Sequence, residues 1–243
     1  MASEDRERTI DRDGRYELKF AVEGGHARAA GLDLRLRLLG LSTLFPDRTV
    51  QTLNLDDHRL TGFDENLSGA SDRKKVRLRW YGEGGRGVRA RLEVKSRRAE
   101  RGTKAVVDVP TPLDVEGAFR ADFVKRLQST LPPEARAILA RDLEPAQWIV
   151  YRRSYFSDAD GDVRVTLDRD LVCASQFERV RLSSSRPSVR SDLWIVEVKA
   201  LVAATESVRR VAQSLGASRG RCSKYAFATD EEAGPIPSVL ERW

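Results

Sequence analysis

Histidine is nearly absent from this chain, with two in 243 residues, His26 and His58. A histidine-based triad, a zinc centre or a histidine general base has almost nothing to be built from. Cysteine is as scarce. Cys173 and Cys222 stand alone, at no metal-ligand spacing, and no disulfide framework is expected. Aromatic residues make up only 7%, which argues against the stacked platforms of a nucleic-acid binder. No apolar run approaches the roughly 20 residues of a membrane span, and the polar N-terminus lacks the apolar segment of a signal peptide. The expectation is a cytoplasmic protein with no nucleic-acid partner, so any movement of a product across a membrane falls to a separate membrane protein.

Familiar nucleotide motifs are missing too. There is no P-loop and no kinase signature. Gly-Glu-Gly-Gly-Arg-Gly at 82–87 matches the dinucleotide-binding pattern in letters only. It lies between two strand-like segments and reads as a hairpin loop. His58, between Asp57 and Arg59, reads as a turn residue.

What is present is arginine. Of 43 basic residues 35 are Arg and 8 are Lys, and the net charge is +6. The guanidinium fork suits phosphate oxygens, so position matters more than number. Six segments alternate polar and apolar with period two, the mark of strands with one buried face. At 15–20, Glu17 and Lys19 lie opposite Tyr16, Leu18 and Phe20. At 75–80, Lys75, Arg77 and Arg79 lie opposite Val76, Leu78 and Trp80. At 89–97, Arg91, Glu93, Lys95 and Arg97 align. Tyr151, Arg153 and Tyr155 share one side at 148–156, and Arg164, Thr166 and Asp168 one side at 163–168. At 194–199, Glu197 and Lys199 lie together against Trp194, Val196 and Val198. Residues 50–55 and 104–109 add two more strands.

Helices are predicted at 118–131, with Phe119, Phe123, Leu127 and Leu131 at four-residue spacing and Asp114 as an upstream cap. Others are predicted at 134–143, at 206–215 and at 26–40, and an exposed loop at 183–188. The polar strand faces are dominated by one sign of charge. Like charges on neighbouring strands repel, so such a face calls for a polyanion.

Taken in order, Arg-Tyr-Glu-Leu-Lys-Phe at 15–20, Lys-Val-Arg-Leu-Arg-Trp-Tyr-Gly at 75–82, Leu-Glu-Val-Lys-Ser-Arg at 92–97, Tyr-Arg-Arg-Ser-Tyr at 151–155, Val-Arg-Val-Thr-Leu-Asp-Arg-Asp at 163–170, Ile-Val-Glu-Val-Lys at 195–199 and Ser-Lys-Tyr at 223–225 resemble the catalytic domain of the vacuolar transporter chaperone (VTC) family. These are polyphosphate polymerases, similar in turn to the CYTH and RNA-triphosphatase enzymes of the triphosphate-tunnel fold. The resemblance implies an α+β protein. An antiparallel barrel of about eight strands would enclose a basic lumen, with helices outside. The domain would span 14–229, after a flexible 1–13 and before a tail at 230–243.

It further implies that Lys19, Arg77, Arg79, Lys95, Arg153, Arg164 and Lys224 contact phosphate, with Lys199 beside them. Glu197 would hold a divalent ion, Mn²⁺ or Mg²⁺, and Glu17 and Glu93 are the further carboxylates in reach. ATP and inorganic polyphosphate are the implied partners. The first strand reads Arg-x-Glu-x-Lys where hydrolase relatives carry Glu-x-Glu-x-Lys, which favours the polymerase over a tri- or polyphosphate hydrolase. A sensor that only binds phosphate chains is the remaining alternative.

Overall fold

The described residues form nine strands, eight of them on the predicted segments: β1 Arg15–Val22, β2 Ser42–Asp56, β3 Arg73–Tyr81, β4 Arg91–Arg98, β5 Arg101–Asp108, β6 Glu144–Ser157, β7 Val163–Ser175, β8 Val189–Ser191 and β9 Trp194–Leu201. The computed structural model describes residues 15–22, 31–32, 35–98, 101–139, 142–187, 189–191, 193–215 and 223–232. His26 and Cys222, the 1–13 segment and the end of the tail lie outside them.

All ladders are antiparallel, in the order β1-β9-β7-β6-β2-β3-β4-β5, with β8 paired to β7 alone. The sheet is curled into a half-barrel. Lys19 on β1 and Lys95 on β4 are six strand positions apart, about 29 Å across a flat sheet. Yet they lie close enough to repel one another. No ladder joins β1 to β5 among the described residues, so the wall is open along that line.

The outer face is apolar and helices cover it. Helix α2, Arg120–Thr130, buries Phe123, Val124 and Leu127 against Leu78, Trp80 and Trp148. Each such side chain contributes about 1.5–3 kcal/mol on leaving water. Helix α4, Thr205–Leu215, lays Val208, Val211 and Leu215 over Leu18, Val165 and Val198. Residues 35–38 are helical as expected, and the turn that follows ends at Gly40 with φ +83°.

Three helix predictions need correction. Phe119 is the N-cap of α2, is 46% exposed and carries the Arg181 guanidinium over its ring at 3.9 Å. Its place on the four-residue stripe is lost because the helix starts at Arg120, two residues later than predicted. Asp114 does not cap this helix; its Oδ1 accepts from the Gly87 N–H at 2.7 Å. The predicted 134–143 helix is one turn, α3 Pro133–Arg136, followed by a 3-10 turn at Ala137–Leu139. The chain must reach β6 by Glu144, and no length remains for more.

Two helices were not legible. Helix α1, Thr61–Leu67, starts where Asp56 accepts from the Gly62 and Phe63 N–H groups, each at 2.9 Å. Helix α5, Lys224–Glu232, crosses the predicted boundary at 229. It covers one end of the concave face, packing Tyr225, Phe227 and Ala228 on Val50, Ile149, Tyr151 and Ile195. The Tyr225 hydroxyl donates to Asp56 at 2.6 Å and ties the two helices together. The 82–87 segment is a loop between β3 and β4. Only glycine fits at 85, where a Cβ would stand 2.4 Å from the Trp148 ring.

Candidate functional site

Cross-strand partners share a face, so the register strings the predicted bases into one lumen. Lys19 pairs with Glu197 and Glu17 with Lys199. Thr166 pairs with Glu197 and Arg164 with Lys199. Arg153 pairs with Asp168, Arg77 with Glu93 and Lys75 with Lys95. Lys224 enters from α5, not from a strand. A β-bulge shapes the wall. Asp170 takes φ +56°, and β7 gains one residue against β6 between the Val150↔Val172 and Arg152↔Arg169 pairs. The bulge resets the alternation, so Leu171 and Cys173 face the same side as Asp168.

Three acidic centres organise the cations. Glu17 and Glu197 share two lysines: Lys19 lies 2.8 and 3.7 Å from them, Lys199 3.5 and 3.6 Å. Burial raises the Glu197 carboxyl, but Lys19, Arg153 and Lys95 outweigh it and hold the group well below the usual carboxylate range. Glu17 is lowered by Lys19, Lys95 and Lys199 against burial and its neighbour Glu197. Glu93 accepts from Arg77 Nε and Nη2 at 2.9 and 2.6 Å, with Lys104 at 3.3 Å and Arg79 at 3.6 Å. Burial pushes its carboxyl up, yet Arg77 and Arg79 hold it at about 2. Asp168 is fully buried; it takes Arg153 at 2.5 and 2.7 Å and Lys224 at 2.5 Å.

Cations remain in excess. Lys75, Lys95 and Arg164 have no carboxylate within ion-pair distance among the described residues. Among the described residues Lys75 donates only to Ser223 Oγ, at 3.0 Å. Burial, then Lys19 and Lys95, drives its ammonium well below the ordinary lysine value. Lys95 is pushed down to about 8 by burial first and Lys19 second. Two donors inside the lumen, Arg79 Nε and Thr166 Oγ1, are buried without a partner among the described residues. An enclosed donor left unmatched is costly, and a phosphate oxygen would satisfy it.

The depressed Lys95 predicts a pH effect. Its native value lies below the unfolded value of about 10.4, so between about pH 8 and 10 the unfolded chain binds more protons and stability rises with pH. The melting temperature of the ligand-free protein should climb across this window, and by less in Lys95→Met. An equal climb in both proteins would remove Lys95 as the cause.

The carboxylate pair fits a hard divalent ion. Mg²⁺ and Mn²⁺ accept one or two carboxylates, with waters and phosphate oxygens completing the shell. Glu197 and Glu17 provide that pair. Glu93 stands apart with Arg77, Arg79 and Lys104, and the described residues hold no cluster of three such ligands.

The predicted bases thus come to one lumen, with different surroundings. Arg164 is exposed at its rim, while Arg79 and Arg153 have side chains only 11% and 14% exposed. Sequence reasoning missed the part played by Asp168. The available signal was a single carboxylate on the polar face of 163–168. It also missed the first half of β2, where period two breaks. There Phe45, Tyr81 and Tyr155 gather around Arg48 at the end of the lumen away from α5.

The model of the VTC domain family matches residues 15–230. No curated protein matches. Among solved structures, a Hippeastrum protein described as a candidate adenylyl cyclase with a dominant triphosphatase activity is 13% identical. Its TM-score is 0.50, over 91% of this chain and 98% of its own. A Vibrio parahaemolyticus protein described as a candidate adenylate cyclase is 15% identical at a TM-score of 0.47, over 87% and 95%. The Hippeastrum likeness is one of fold.

Proposed function

The chain belongs to the VTC domain family, and from that premise we propose that it is a polyphosphate polymerase. It transfers the γ-phosphate of ATP to the end of a growing inorganic polyphosphate chain, with Mg²⁺ or Mn²⁺. The observation that carries this reading is the unbalanced lumen, in which, among the described residues, Lys75, Lys95 and Arg164 lack carboxylates and Arg79 Nε and Thr166 Oγ1 lack any partner.

Phosphoryl transfer depends on alignment and charge neutralisation more than on covalent help. Lys19, Lys75 and Lys95 hold an extended phosphate chain. Arg79 aims a fixed donor at the oxygens of the transferred group, where preorganised charge has its largest effect. Arg153 and Lys224, locked by Asp168, keep their positive ends in place without motion. The attacking phosphate is already ionised, so no general base is required. That agrees with a described lumen free of histidine, His58 lying in a turn. Glu197 and Glu17 would hold the divalent ion, which would add charge neutralisation at the phosphates.

Hydrolysis of tri- or polyphosphate is the second reading. It draws on Glu17 beside Glu197, a second carboxylate that could help to activate water, and on the triphosphatase activity described for the Hippeastrum protein of like fold. Incubation with ATP and Mn²⁺ or Mg²⁺ decides between them. The polymerase yields ADP matched by acid-insoluble polymer, and Glu197→Gln loses both together with the metal dependence. Phosphate release without polymer would transfer the assignment to the hydrolase.

A further inference from the structure

β2 overruns the barrel. Its residues 42–48 are exposed, and its pairing with β6 slips between Thr43 and Phe45 and again between Phe45 and Arg48. The slips bring Phe45 edge-on to Tyr155, with ring centroids 5.6 Å apart. Arg48 sets its guanidinium 5.1 Å from the Phe45 ring and 5.7 Å from each of Tyr81 and Tyr155. Arg48 has no carboxylate partner among the described residues. Phe45 and Tyr81 are 43% and 48% exposed.

The place of this cluster matters. Tyr81 and Tyr155 follow Arg79 and Arg153 by two residues on the same faces of β3 and β6. Each ring therefore starts about 7 Å along its own strand from the arginine before it, and the two pairs are staggered, with Tyr81 level with Val50 and Arg153 level with Arg48. Arg48 and Arg153 are direct cross-strand partners. One continuous wall runs from phosphate-binding guanidinium to exposed ring.

We propose that Phe45, Tyr81 and Arg48 form the platform for the nucleobase of a nucleoside triphosphate whose phosphates lie in the lumen. The platform makes the chain discriminate a nucleotide from an inorganic phosphate chain at the entry step. A flat π-face and a cation are what a base of any sequence stacks on. The proposal rests on the reading of the lumen as a phosphate site, not on the reaction carried out there.

The test is titration of the full-length protein, with Mg²⁺ present, using the β,γ-imido analogue of ATP and, separately, inorganic tripolyphosphate. Phe45→Ala and Tyr81→Ala should each weaken the analogue about tenfold, within the range of base stacking on an aromatic side chain. Tripolyphosphate should shift by less than twofold. Equal weakening of both ligands, or of neither, overturns the proposal and leaves the cluster as packing. So does binding of tripolyphosphate without the analogue, an outcome that leaves the phosphate lumen intact. Binding of neither ligand to the unaltered chain overturns the lumen reading and the platform together.

Discussion

Arg79→Met lowers turnover by about 10²–10³-fold, the loss expected for one preorganised donor at a developing charge, while the melting curve stays near that of the unaltered protein. Arg77 and Arg79 look interchangeable in the sequence, two arginines on one strand face. The structure separates them. Arg77 commits Nε and Nη2 to Glu93 Oε2. Arg79 reaches Glu93 only at 3.6 Å, and its Nε has no partner. Removing Arg79 leaves Glu93 with Arg77 and Lys104. Removing Arg77 strips the buried carboxylate of its closest partner and costs stability first. Replacing both arginines together therefore mixes two effects, and the single substitutions keep them apart. Steady-state rates beside thermal melts make the comparison. An Arg79→Met protein within threefold of normal turnover would exclude Arg79 from the chemistry.

Asp168→Ala should destabilise the fold by about 3–5 kcal/mol, the usual result of removing one member of a buried ion pair. For a chain of this size that is a fall in Tm of about 6–20 °C. Asp168 is the only described carboxylate against which Arg153 and Lys224 both rest, at 2.5 to 2.7 Å. Its loss leaves two enclosed cations repelling each other beside the Tyr151 ring. The same substitution loosens α5, which Lys224 anchors to β7. Hydrogen exchange of the 224–229 amides should rise more than that of β3. A Tm within 2 °C of normal would mean that solvent already screens this triad.

The acidic centres also set the response to acid. Glu93 titrates at about 2 in the folded protein, below an unfolded value of about 4.3. The unfolded chain binds more protons in between, so this contribution is complete above the upper value and is lost as pH falls towards 2. Asp168, Glu17 and Glu197, all lowered, add in the same direction.

Most strands, with their polar and apolar faces, were legible in the chain because alternation is a local property, while the inward turn of the polar faces came from the family resemblance. The backbone turns over every residue, and a run such as 75–80 reveals both faces without reference to any neighbour. Lys19, Arg77, Arg79, Lys95, Arg153 and Glu197 could be assigned to one side in that way, and the family resemblance added Lys224.

Tertiary structure decided the rest, where non-local register fixes charge contacts. It determined that Glu93 belongs to Arg77 and Asp168 to Arg153, that Glu17 meets Glu197, and that Lys19 faces Lys95 across a curled sheet. It also built two features that no period announces. One is the bulge at Asp170 that turns Leu171 inward under α5. The other is the slipped end of β2 that gathers Phe45, Tyr81 and Tyr155 around Arg48. Local geometry dictates which way a side chain points. Only the pairing of distant strands dictates what it meets there.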